Sequence, residues 1–155
     1  MTFLVLPGFL GLALVAWGLY LLFHRPVVDP GNFYATYPQV RVKIGSRTFR
    51  AAVADTIARR SQGLSGRGSM AEEEAMLFIF PIAMKYAFHT KDMKFSLDIV
   101  WIRSGQIMDI SEDVPARYPK VKPKSAVNMV LEVNAGLIRR FGIKTGDKIE
   151  VVGKR

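Results

Sequence analysis

The first 23 residues contain no Asp, Glu, Lys or Arg, and positions 3–23 read FLVLPGFLGLALVAWGLYLLF. As an α-helix with a rise of ~1.5 Å per residue this run covers about 30 Å, the thickness of a bilayer's hydrocarbon core. Pro7, Gly8, Gly11 and Gly18 are better tolerated in such a helix than in a soluble one, and Trp17 and Tyr20 stand where aromatic rings favour the headgroup level. A cleaved secretory signal would need a basic leading segment and a small-x-small site, whereas His24-Arg25-Pro26 follows the apolar run. The sequence therefore predicts an uncleaved single-pass anchor over residues 1–25.

The remaining chain holds one domain. With 155 residues the protein lies below the size at which cores split, and without cysteine it has no disulfide framework, thiolate nucleophile or Cys-ligated metal. Residues 26–38 (PVVDPGNFYATYP) contain three prolines and no usable periodicity, and read as a linker. From Gln39 on, the pattern is of short alternating segments. Val40 to Ile44 and Arg47 to Ala54 flank Gly45-Ser46 as a hairpin, and Asp55 is expected to cap a short helix that Gly63 ends. Met76 to Phe80 reads as a buried strand stopped by Pro81, and Tyr86 to Thr90 as a further extended piece. Leu97 to Ile102, Gln106 to Ile110 and Val127 to Val133 follow as strands. Asn134 is placed to cap a second short helix, and after the Ile143 to Asp147 turn, Lys148 to Val152 forms the last strand. The fold class predicted for residues 39–155 is mostly β with two short helices, a small antiparallel β-barrel or curled sheet.

Three stretches carry a family resemblance: Ala75 to Pro81 (AMLFIFP), Phe88 to Ile102 (FHTKDMKFSLDIVWI) and Val127 to Asp147 (VNMVLEVNAGLIRRFGIKTGD). With Gln62-Gly63-Leu64 and Arg67 they resemble the bacterial and archaeal family known as domain of unknown function 192, over roughly residues 40–152. The resemblance implies a compact β-rich domain, frequently behind a signal peptide or anchor, and brings no established activity. His89 stands where that family often has Trp, Thr90 where Met is frequent, Ser96 where Pro is usual and Ala75 where Gly is usual.

The side of the membrane is argued both ways. Arg25, Arg41 and Lys43 follow the apolar run while only the α-amino group precedes it, which favours a cytoplasmic domain. The habit of the resembled family favours the extracytoplasmic side, and that is the placement adopted.

Among charged residues Asp98 stands out, because the segment around it (FSLDIVWI) is apolar and an unpaired buried carboxylate is costly. It needs a partner, either Lys91 or backbone N–H groups, and a structural role is favoured over a catalytic one. Glu132 lies just before the Asn134 cap, where a helix dipole would favour a carboxylate. His89 is the sole histidine of the domain and too solitary for a transition-metal site. Asp147 belongs to the Gly-rich turn before the last strand. The candidate polar set is thus Lys91, Asp98, Glu132, Asn134, Asp147 and His89, with no metal and no cofactor.

Net charge is +9, from 22 Lys and Arg against 13 Asp and Glu. Arg117 to Lys124 (RYPKVKPK) is the one basic cluster, read as an extended solvated loop, and Glu72-Glu73-Glu74 as a solvated acidic run. The functional expectation is a non-enzymatic binding or assembly module beside the membrane, presenting a basic surface to a protein or an anionic polymer. The alternative is a small hydrolase or lyase using Asp98 and Glu132 with Lys91. Nucleic acid is disfavoured, since no basic strand is interleaved with aromatics.

Overall fold

The computed structural model describes residues 36–153. The expected anchor and all but the last residues of the linker lie outside the described residues, and no described helix is long and apolar enough to cross a membrane.

Strands β1 (Gln39–Ile44) and β2 (Arg47–Ala54) form the expected hairpin, with Ile44 opposite Arg47 and Gly45 at φ 56° in the turn. In β1 the outward residues alternate with Val40, Val42 and Ile44, which are buried. The second half of β2 is buried on both faces, because it enters the middle of the sheet. Helix α1 (Ile57–Gln62) follows. Its cap is Thr56, whose hydroxyl accepts from the Arg59 N–H at 3.2 Å; Asp55, expected in that role, instead pairs with the Arg59 guanidinium at 2.9 Å. Gly63 ends the helix at φ 48° as anticipated.

Strand β3 (Glu74–Met84) runs parallel to β2, the one parallel pairing of the sheet, with α1 in the crossover. It continues past Pro81 rather than stopping there. The register against β6 (Val127–Asn134) shifts between Ile79 and Met84, and at such an irregularity proline's missing N–H breaks no regular ladder bond. Tyr86 to Thr90, expected to be extended, contributes a single bridge, Phe88 to Val121. Strands β4 (Leu97–Arg103) and β5 (Gln106–Val114) form the second hairpin, and β6 inserts between β4 and β3. After the short helix α2 (Leu137–Arg140), β7 (Ile149–Val152) returns antiparallel to β1.

The resulting order is β5-β4-β6-β3-β2-β1-β7. The sheet curls until its two edge strands meet at one corner: the Ile107 N–H donates to the Asp147 carbonyl and the Ile149 N–H to the Gly105 carbonyl, both at 2.9 Å. The domain is thus mostly β, with seven strands and two short helices among the described residues, curled into an incomplete barrel. One face gathers a core from all seven strands, including Val42, Phe49, Leu77, Val100, Ile107, Leu131 and Ile149, closed by Leu137 and Ile138 of α2. The opposite face carries a second core of Met76, Phe78, Ile99, Trp101 and Val130, covered by loop residues Leu64, Met70 and Met93.

Asp98 joins the pieces of the first core. Its side chain is fully buried, and its two oxygens accept from the Asp113 N–H at 2.9 Å and the Ile138 N–H at 3.0 Å. Asp113 has φ 51° where the β4/β5 register shifts, and Ile138 lies in the first turn of α2, whose own cap position is Gly136 with no side chain to offer. Of the two partners weighed for Asp98, backbone N–H groups are therefore correct and Lys91 is not. Lys91 is exposed on a loop.

The acidic run is corrected as well. Glu74 is buried, bonded to Arg50 at 2.8 Å, Arg67 at 3.3 Å and the Ala71 N–H at 3.2 Å, while Glu72 pairs with Arg47 and Arg140. Only Glu73 is exposed.

Asp98→Asn leaves one amide able to accept from only one of the two N–H groups. Hydrogen bonds to a charged group contribute roughly 1.5 to 3 kcal/mol each, so the expected loss is about 2 to 4 kcal/mol in denaturant unfolding. Lys91→Ala should change stability by less than about 0.5 kcal/mol. Equal effects of the two substitutions would restore the Lys91 pairing.

Candidate functional site

Strand alternation sends neighbouring side chains to opposite faces. Asp98 pairs in register with Val133 and Ile99 with Glu132, so the Asp98 carboxylate enters the first core while Glu132 emerges with Ile99 and Met76 on the second face. The two acids are therefore close in the sheet and separated by its thickness.

Above Glu132 the covering layer leaves a cavity of about 250 Å³ between α1, the end of β3 and the loop that follows it. Its walls include Phe78, Phe80, Tyr86 and Phe88, with Gly63, Leu64 and Met93 beside them. The rings hold one another. Phe80 stacks on Tyr86 at 3.7 Å between centroids, and Phe88 packs edge-on against Phe78 at 4.9 Å and against Trp101 at 5.4 Å. Arg60 lies over the Phe80 ring at 5.2 Å, and its guanidinium donates to the carbonyls of Asp55 at 2.6 Å and Ile79 at 2.9 Å, tying α1 to β3. Gly63 matters for shape as well as for its positive φ: a Cβ there would stand 3.2 Å from the Phe78 ring.

Glu132 is 4% exposed and lines this cavity. The other buried acids of the described residues are all bonded: Asp98 to two backbone N–H groups, Glu74 to two arginines, Asp109 to the Lys124 N–H and ammonium. No hydrogen bond or ion pair reaches the Glu132 carboxyl from any described residue. Burial alone pushes its pKa from the ordinary 4.5 up to about 8, so it is largely protonated at neutral pH. The helix-dipole role expected for it is absent, because Glu132 belongs to β6 rather than to a helix start.

The other predicted residues are dispersed. His89 is exposed at the cavity's rim, and Lys91 is exposed on the same loop. Asn134 does not cap α2; its Nδ2 donates to the carbonyls of Met70 at 2.7 Å and Ala71 at 3.2 Å, anchoring the loop before β3. Asp147 fastens its own turn by accepting from the Lys144 N–H at 2.9 Å. The structure therefore brings Glu132 and His89 to one cavity and leaves Asp98, Asn134, Asp147 and Lys91 elsewhere. No group of three His, Cys, Asp or Glu residues suited to a metal occurs among the described residues.

Sequence reasoning missed the aromatic walls and Thr90. The Thr90 hydroxyl donates to the Pro115 carbonyl at 2.6 Å and accepts from the Tyr118 N–H at 2.8 Å, and with the Asp109 contacts it secures the basic loop, leaving Arg117, Lys120, Lys122 and Lys124 exposed. The Phe78, Phe80, Tyr86, Phe88 spacing at alternate positions was the available signal, since residues i, i+2 and beyond share one side of extended chain.

Comparison with known proteins places the domain. A family model, DUF192, described as “Uncharacterized ACR”, matches residues 40–151, and the chain belongs to that family. A UPF0127 protein of Thermococcus gammatolerans is 28% identical over 100 residues; the matched segment spans 63% of this chain and 63% of the relative's length. Two crystal structures share the fold at 30% identity. One, from Sinorhizobium meliloti and described as a candidate transcription regulator, has a TM-score of 0.71 and covers 74% of this chain and 95% of its own. The other, a protein of unknown function from Novosphingobium aromaticivorans, has a TM-score of 0.67, covering 74% of this chain and 84% of its own. The resemblance expected over roughly residues 40–152 is thus correct; the apolar leading segment lies outside the match.

Glu132 carries a linkage with a definite sign. Between about pH 4.5 and pH 8 the folded chain keeps a proton that the unfolded chain has lost, so this group's contribution to stability falls as pH rises through that window and is constant above it. The shift sets a ceiling of roughly 5 kcal/mol. Glu132→Gln should therefore raise Tm at pH 8.5 and have little effect at pH 5, read by thermal melts across the range. A destabilised variant at pH 8.5 would mean that the carboxylate is held by a bond the described residues do not contain.

Proposed function

We propose that this member of the DUF192 family is a binding module, held beside a membrane by residues 1–25, that takes a ligand in the Glu132 cavity. One observation carries the reading: a carboxyl buried without a partner in an aromatic-walled cavity, in a domain that bonds its other described buried acids. A carboxyl whose burial penalises its charged form works against folding as pH rises, which is the pattern of a residue serving a ligand. Small-molecule sites are commonly apolar concavities with a few polar groups to orient the occupant, and this cavity has that make-up.

The rest of the arrangement supports attachment more than chemistry. A hydrolase or lyase built on Asp98 and Glu132 with Lys91 needs the three to converge, whereas the sheet lies between the two acids and Lys91 sits on an exposed loop. The exposed lysines and arginine of residues 117–124 offer a basic face to an anionic polymer or an acidic protein patch. A nucleic-acid role, one reading of the transcription-regulator description given to the S. meliloti relative, would draw on several exposed aromatics among basic residues. Here Phe78, Phe80, Tyr86 and Phe88 line the cavity, and Tyr118 is the single exposed ring within the basic segment 117–124. The apolar run supports the anchor, and the frequent signal or anchor of related chains supports an extracytoplasmic domain.

Two experiments test this. In carbonate-washed membranes the full chain should remain in the pellet, and protease added to intact cells should digest the domain; mature protein beginning beyond Arg25 and released by carbonate would remove the anchor from the proposal. For the cavity, a thermal-shift panel of small aromatic compounds on the detergent-solubilised full chain should contain stabilising members whose effect disappears in Phe80→Ala. A flat response across the panel would overturn the binding reading.

A further inference from the structure

The chemistry of the cavity narrows the class of occupant, on the premise that it binds a ligand at all. The carboxyl of Glu132 is the sole acid among the residues lining it. Arg60, the cation of the lining, is already engaged: its guanidinium donates to two carbonyl oxygens and rests on Phe80. An arriving carboxylate would meet a committed arginine and an acid, so an anionic ligand gains little. A neutral apolar ligand would fill the volume while leaving the acid without a partner.

We infer that the cavity takes a small organic ammonium ligand, a primary amine on an aromatic or compact apolar body, with the ammonium group at the Glu132 carboxylate. Three features converge on this class. The ammonium supplies the charge and the N–H donors that the described residues do not give Glu132. The aromatic wall of Phe78, Phe88 and Tyr86 favours a cation through the ring quadrupole, while Phe80, already stacked on Tyr86 and covered by Arg60, completes the apolar lining. The volume of about 250 Å³, open to solvent on one side, suits a single ring with a short arm rather than a polymer segment.

The inference has a proton signature. Glu132 is largely protonated in the free protein at pH 7, so an ammonium ligand that needs the carboxylate must expel that proton on binding. The other charged or titratable groups lining the cavity are His89 and Tyr86 from the loop and Arg60 from α1; β3 and β4 face Glu132 with Met76 and Ile99. A variant that keeps His89 while removing Glu132 separates the contributions of the two groups.

Isothermal titration of the full chain in detergent, with benzylammonium, benzyl alcohol and benzoate as probes, tests the class. Benzylammonium should bind most tightly at pH 8.5, with affinity rising about fivefold between pH 7 and pH 8 as Glu132 ionises. Titrations in buffers of different ionisation heat should show release of close to one proton per ligand at pH 7. Glu132→Gln, which folds at least as stably by the argument above, should lose both signatures and bind benzylammonium no better than benzyl alcohol. If benzyl alcohol or benzoate binds as well as benzylammonium to the wild-type chain at pH 8.5, the ammonium assignment is overturned while the binding-module reading stands. If none of the probes binds at any pH and the wider panel is flat, both fall.

Discussion

The carboxylate of Asp98 ties to β4 two pieces of backbone that nothing local would keep in place. Helix α2 has only four residues, too few to persist alone, and its cap position is a glycine in the left-handed region. The bulge at Asp113 puts a non-glycine residue at positive φ, which also needs support from outside. By accepting from both, one acid on β4 seats Leu137 and Ile138 in the first core and fixes the turn from which β7 sets out to pair with β1. A sheet curled around one core leaves its other face to be covered by loops and a short helix, and that covering is where the cavity arises.

Glu132 and Asp98 show how one residue of register separates opposite fates. Ile99 and Glu132 face each other across β4 and β6, and Asp98 sits one place earlier on the other side. One carboxyl meets the free N–H groups at a helix start and a bulge; the other meets rings and a void. The same chemical group thus fastens the fold on one face and strains its stability on the other. Buried acids with complete bonding explain themselves structurally, which is why Glu132, and not Asp98, Glu74 or Asp109, directs attention to function.

The family match covers residues 40–151 and not the apolar leading run, so the proposed anchor and the cavity lie in separate parts of the chain. If residues 1–25 hold the chain at a bilayer as proposed, the cavity would lie in a thin layer above the lipid, where the exposed basic loop would gain from any anionic surface within about a Debye length. In that proposal placement and recognition would reinforce each other without sharing residues.

What the sequence determined by itself is whatever depends on neighbours a few positions away. Alternation marked β1, β5, β6 and β7; glycines at 45, 63, 105 and 146 marked turns that need positive φ; and the apolar setting of Asp98 announced a buried acid in need of a partner. Tertiary structure alone decided the partners. The parallel pairing of β2 with β3, the passage of β3 through Pro81, the capping of α2 by an acid some forty residues earlier and the burial of Glu74 between two arginines join segments far apart in the chain. No periodicity records such pairings, because each depends on which face another element covers. The cavity belongs to the same class: its rings were visible as letters, but the space between them exists only once α1 and the loop after β3 close over β6, and only then does Glu132 become an acid without a bond.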